Sequence, residues 1–260
     1  MPVPQLATAG ITDRIQALSD QETKRPFDVK SIERDIERLK AISAAEAFML
    51  SGMLKAALGE YDASKELHLK NLRLSMDEVG LVNYGISLRM LGRYTEAKVY
   101  FLKALERSPG SPEILEKIVH TSTFVCDYED LEKIVAGFAR ANPTFVIEDM
   151  PCMATARSVI SHLGEMNISL SEYKLVGTFV EQAMIEFGLV ASFMHEKLSN
   201  FDGVKHIYIE VPLPVKDAAQ LVAINDRVAE LVLGCDDILS WDRLVVNFID
   251  RRSVLSSAVA

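Results

Sequence analysis

Apolar positions recur every three to four residues through most of the chain, and from Lys205 onward the period changes to two. Ile32, Ile36, Leu39 and Ile42 share one face of a helix opening at Ser31, with Arg34, Glu37, Arg38 and Lys40 on the solvated side. A weaker pattern at Ile11, Ile15 and Leu18 predicts a short helix over 12–18 behind a loose tip. Ala154 to Leu163 predicts another helix, ending at Gly164. Ser169-Leu170-Ser171-Glu172 reads as a helix start, with Ser169 or Ser171 as cap. It leads into the broad apolar face of Leu175, Val176, Phe179, Val180, Ala183, Met184 and Phe187. That helix is expected to continue, bent or broken near Gly188, to His195. Thr144 to Ile147 reads as a short strand or the start of a helix.

Between these stretches lies a repeated pattern. Gly52, Gly59, Tyr61 and Ser64 each stand 33 residues before Gly85, Gly92, Tyr94 and Ala97. A small residue on a first helix lets a second helix approach closely, and glycine at the turn takes positive φ without a Cβ clash. The aromatic residue packs over that turn, and Pro109 ends the second helix. A degraded third copy has Leu115, Val119, Tyr128, Leu131 and Pro143, each 34 residues after Leu81, Gly85, Tyr94, Ala97 and Pro109, with Cys126 at the turn.

This spacing resembles the tetratricopeptide repeat, a helix–turn–helix unit of about 34 residues built for stacking. The resemblance covers about residues 45–143, with Phe48, Leu81 and Leu115 where the family carries a first-helix tryptophan. It implies a concave surface, lined by each first helix, that takes an extended peptide or a helix. By position the lining is Met49, Met53, Val82, Asn83, Ile86, Arg89 and Met90, then Glu116, Lys117, His120 and Thr123. Methionines suit an adaptable apolar groove. The same side chains could equally be core, covered by the N-terminal helix or by residues 171–187.

Alternation at Ile207, Ile209 and Val211 predicts a strand that Pro212 and Pro214 stop. Asp217, with Gln220 at capping-box spacing, opens a helix whose apolar face runs from Leu221 to Val232. Leu244 to Ile249 is a second strand. Two strands are marginal alone, so a third is expected from residues 144–150, a second copy or a partner. The tail from Arg251 to Ala260 reads as frayed.

The charge of −9 is unevenly spread: residues 144–260 hold 16 acids against 9 bases, or −7 of it. Without clustered Lys and Arg, a nucleic-acid partner is not expected, while a basic protein surface is one candidate partner. Glu210, Asp217, Asp226, Asp236, Asp237 and Asp242 are the acidic surface candidates. Cys126, Cys152 and Cys235 are too scattered for a disulfide framework or a zinc site and read as buried or half-buried thiols. The five histidines form no metal-ligand pair, and His68 falls where the next repeat has Phe101, so it reads as packing. No phosphate-loop, dinucleotide or nucleophile-elbow motif is present. His195-Glu196 and Asp236-Asp237 are the acid–base groups that could converge in a cleft. No run approaches the ~18 apolar residues of a membrane span, and the expected compartment is a cytoplasm.

The expected fold is mainly α: a tetratricopeptide-like array with additional helices and a small C-terminal α/β element. The expected segments are 1–30, an N-terminal stretch, partly mobile; 31–143, repeats; 144–200, covering helices; and 201–260, strand–helix–strand. The expected function is non-enzymatic, without metal or cofactor: an adaptor or chaperone-like module binding a polypeptide by the groove or the acidic C-terminal region. A homodimer through the α/β element is also expected. Two alternatives stand beside it: an immunity or antitoxin-like protein neutralising a basic partner, and a hydrolase or transferase with its site between the repeat and α/β regions.

Overall fold

The computed structural model describes residues 4–21, 23–215 and 217–252, and contains eleven α-helices and a three-stranded sheet among them. The protein is mainly α with a small C-terminal α/β element, as the periodicity predicts. The tip at 1–3 and the tail at 253–260, expected to be loose, lie outside the described residues. Two compact units divide the chain, Met1–Pro109 and Gly110–Ala260.

The first unit holds α1 (Pro4–Ser19), α2 (Pro26–Lys40), α3 (Ala44–Ala57), α4 (Tyr61–Leu74), α5 (Glu78–Met90) and α6 (Tyr94–Arg107). Both leading helices begin earlier than their apolar spacing suggests. In α2, Pro26 takes the first helical position, where its missing N–H costs nothing. Helix α3 packs on α4, α5 on α6, and α3 also lies against α5, an arrangement compatible with a helical repeat. The repeat spacing has a direct steric cause. A Cβ on Gly52 would fall 2.6 Å from the His68 ring, and one on Gly85 2.5 Å from the Phe101 ring. Each glycine is thus the floor on which the ring from the paired helix rests.

The turns repeat too. Gly59 and Gly92 have φ of 78° and 71°, and the following N–H reaches back to Lys55 O and Leu88 O. Such left-handed closures satisfy helix-end carbonyls and favour glycine. Tyr61 then links successive turns: its hydroxyl donates to Glu96 (2.9 Å), and the Arg93 guanidinium sits 4.6 Å above its ring.

The second unit holds α7 (Pro112–Phe124), α8 (Leu131–Ala141), a 3₁₀ turn Ile147–Asp149, α9 (Pro151–Glu165) and α10 (Leu170–Glu186). Residues 144–150 are therefore turn, not strand. The α7–α8 turn closes as in the first unit, with Asp127 N bonded to Ser122 O and Cys126 at φ 50° in the glycine's place. Ser169 caps α10 by accepting from Glu172 N (3.1 Å), and the helix stops at Gly188, φ 63°, instead of continuing to His195.

Gly177 on α10 seats directly on the α7 end. A Cβ there would lie 2.2 Å from Val125 O and 2.4 Å from Val125 C, both backbone atoms that cannot swing aside. Gly177→Ala should therefore destabilise the second unit by about 3 kcal/mol, despite its better helix propensity. Gly164→Ala on α9, where a Cβ meets nothing within 4 Å, should stabilise by about 0.5–1 kcal/mol. Urea titrations of both variants check the pair; equal effects would remove the close-approach argument.

The sheet has order β1-β2-β3, with β1 (His195–Phe201) antiparallel to β2 (Val204–Leu213) and β2 parallel to β3 (Leu244–Asp250). The third strand is β1, from within the chain, so no second copy is needed to supply it. Asp202 and Gly203, at φ 49° and 83°, form the tight hairpin turn. Pro212 does not end β2: it pairs with Ile249 of β3, at a level where β1 has already stopped. Asp217 caps α11 (Ala218–Leu233) by accepting from Gln220 N (2.8 Å), as its spacing predicts. Asn225 on α11 then clips β3 by bonding both Phe248 O and Phe248 N at 2.9 Å.

Candidate functional site

The residues assigned to the groove fall into different environments. Met49 and Met53 are buried with Ile11, Ile15 and Leu18 of α1 and Ile32, Ile36 and Leu39 of α2. They line no open surface: an apolar stripe on α3 must be covered, and α1 covers it. Burying each such α1 side chain contributes roughly 1.5–3 kcal/mol. Asn83 donates to the Met49 sulfur (3.2 Å), and Met90 packs on the same core. Val82, Ile86 and Arg89 are half-buried on α5. Burial lowers the Arg89 pKa from its ordinary value. Glu116 and His120 are exposed on α7, 3.6 Å apart one helical turn along, beside the half-buried Lys117 and Thr123.

The acidic candidates divide as well. Glu210 pairs with Lys197 (2.6 Å) on the outer face of the sheet, and Asp217 is committed to its cap. Asp226 is exposed on α11. His195 stacks edge-on with Phe193, and Asp236 and Asp237 make no hydrogen bond or ion pair among the described residues.

Glu196 instead points inward. Its Oε1 accepts from the Tyr173 hydroxyl, and its Oε2 is shielded and has no partner among the described residues. Burial raises its pKa to about 7, and the hydroxyls of Tyr173 and Tyr128 offset only part of that. Cys126 lies in the same cluster, and burial holds its pKa well above the ordinary thiol range. A cleft of about 410 Å³ opens here, with Glu196 and Lys197 on its lining beside Ser158, His162, Leu198 and Ile207. Through its bond from Tyr173 the carboxyl braces the β1–α10 junction at the edge of this cleft. Cys126 and Cys152 are buried and Cys235 half-buried, all as free thiols. Among the described residues, no three His, Cys, Asp or Glu side chains group as a metal site, and no helix is long and apolar enough to cross a membrane.

The loop between α11 and β3 carries the most definite surface. Ile238 and Ser240 are buried while Leu239 and Trp241 are 81% and 54% exposed. Ser240 N donates to the Glu172 carboxylate on α10, and Arg243 donates to Met166 O (2.6 Å) and Ser240 Oγ (2.8 Å). The backbone is thereby held while two large apolar side chains face water. Asp236, Asp237 and Asp242 are exposed around them. Charge pattern alone finds these acids; the exposed Leu239 and Trp241 are missed, although Trp241 is the sole tryptophan of the chain. Neither the protein-family models nor the curated proteins compared with the chain match it.

Proposed function

We propose that the chain is a non-enzymatic protein-interaction module, tetratricopeptide-like in its helical pairs, that recognises a polypeptide through the acidic α11–β3 loop. The observation that carries this is the exposure of Leu239 and Trp241 on a backbone pinned by Glu172 and Arg243. Tryptophan is enriched at binding hot spots, and a pre-ordered loop loses little conformational freedom on docking. Three surrounding acids favour a partner with a basic rim and steer its approach. The α3 part of the concave face is a weaker candidate, since α1 already occupies it.

The test is affinity capture followed by titration of the purified partner. Trp241→Ala is expected to weaken binding by about 2 kcal/mol or more, roughly 30-fold. Asp236→Lys with Asp237→Lys should slow association and reduce its salt dependence. Ile86→Glu on α5 should leave binding unchanged. The opposite ranking, with Ile86→Glu abolishing binding and the loop variants inert, would return the site to the groove.

A further inference from the structure

The first unit carries a surface opposite in charge to the loop and alike in apolar character. A groove of about 410 Å³ lies between α4 and α6, with Leu69, Leu72, Met76 and Tyr100 along it. Met76 is 54% exposed. Arg73, Lys103 and Arg107 rim this groove, are exposed, and make no ion pair among the described residues. Lys103 sits 4.8 Å above the Tyr100 ring, so cation and aromatic surface are offered together. Glu106 is the one acid on the lining. Unpaired surface cations around an open apolar trough have no evident role in holding the helices together.

We propose that this groove receives the α11–β3 loop of a second copy of the chain, with Leu239 and Trp241 entering the trough and Asp236, Asp237 and Asp242 meeting Arg73, Lys103 and Arg107. The inference rests on the reading of the loop as a binding element and names a partner for it. Three properties favour this occupant. The charges are complementary: Asp236 and Asp237 make no ion pair among the described residues, and Asp242, 3.7 Å from Arg243, adds a third acid against the three cations. The apolar anchors match an apolar floor, and both surfaces are open to solvent. Pairing an exposed tryptophan with exposed cations also favours stacking of an arginine on the indole. The loop and the groove are unlike patches, so each contact joins a loop of one copy to a groove of the other. A contact of one short loop falls at the small end of interface sizes, which makes the association weak and concentration-dependent.

Sedimentation velocity of the full chain between about 1 and 100 µM tests this, at low and high salt. Wild-type protein should self-associate, and the association should weaken about tenfold or more at high salt. The loop variant Asp236→Lys/Asp237→Lys and the groove variant Arg73→Glu/Arg107→Glu should each lose association while keeping wild-type circular dichroism and melting. An equimolar mixture should regain it, because reversed loop and reversed groove again carry opposite signs. A wild-type chain that stays monomeric throughout, or a mixture that fails to recover, overturns the proposal. Association unaffected by either variant also overturns it and places the contact elsewhere, such as the free edge of β1. If self-association fails but the loop variants still lose a different captured protein, the interaction function survives without the second copy. If the loop variants change neither, both readings fall.

Discussion

Replacing His68 by Phe, with Ser87→Ala, is expected to abolish most of the acid sensitivity of the first unit. His68 is fully buried over Gly52, stacks on Tyr84 at 4.7 Å and shares a 2.9 Å hydrogen bond with Ser87 Oγ. Burial pushes its pKa down to about 3, from an ordinary value of 6.5. As pH falls below 6.5 the unfolded chain gains a proton that the folded chain refuses, so stability is full above 6.5 and lost on the way toward 3. At pH 4 the loss is on the order of 3 kcal/mol. Phenylalanine is the ring the next repeat uses at this position, over Gly85. The Ser87 change is needed because an orphaned buried hydroxyl costs about 1–3 kcal/mol. Urea titrations from pH 7 to pH 4 should show a steep decline in wild type and a shallow one in the variant. Parallel declines would mean that other groups set the acid limit.

Glu196→Gln should do the reverse for the second unit. In the fold the Glu196 carboxyl holds its proton to about pH 7, whereas an ordinary glutamate loses it near 4.5. Between those values the unfolded chain has released a proton that the folded chain retains, so stability is full below 4.5 and falls as pH rises toward 7. The loss is about 3 kcal/mol once both are crossed. The groups facing the carboxyl are Tyr173 of α10 and, from the α7–α8 turn, Tyr128 and Cys126; none supplies a positive charge. The Tyr128 hydroxyl also lies 3.3 Å from Thr123 Oγ1, to which it donates. Glutamine keeps the shape and the acceptor for Tyr173 while removing the charge. The variant should therefore match wild type near pH 4.5 and exceed it by about 3 kcal/mol at pH 8. A variant less stable than wild type at pH 8 would show that the carboxylate is satisfied by a partner.

The repeat was legible because its cause is local and steric. Glycine leaves room for the ring resting on Gly52 or Gly85 and takes the left-handed turn at Gly59 or Gly92 without a Cβ clash, so composition and spacing carry the signal directly. Caps at Ser169 and Asp217 were legible for the same reason. Strand β1 was not, because only Glu196 and Ser199 are even half-buried while Leu198 and Phe201 are exposed, so no apolar alternation marks it. The Asp202-Gly203 pair was the available hairpin signal.

The methionines of α3 show a different limit. Period identifies an apolar face, but only tertiary packing decides whether solvent or α1 covers it. The loop shows it again: which of Ile238 to Trp241 faces outward is fixed by Glu172 and Arg243, and the first of these is far away in sequence. Negative charge pointed to the region but not to its two apolar anchors.

Because Trp241 is the only tryptophan in the chain, its fluorescence reports on the proposed contact without a label. In the dilute free protein its emission should be that of a water-exposed indole, readily quenched by acrylamide. On titration with the purified partner, the emission should shift to the blue and gain several-fold protection from quenching. A partner that binds while emission and quenching stay unchanged would contradict the assignment of this loop as the recognition element.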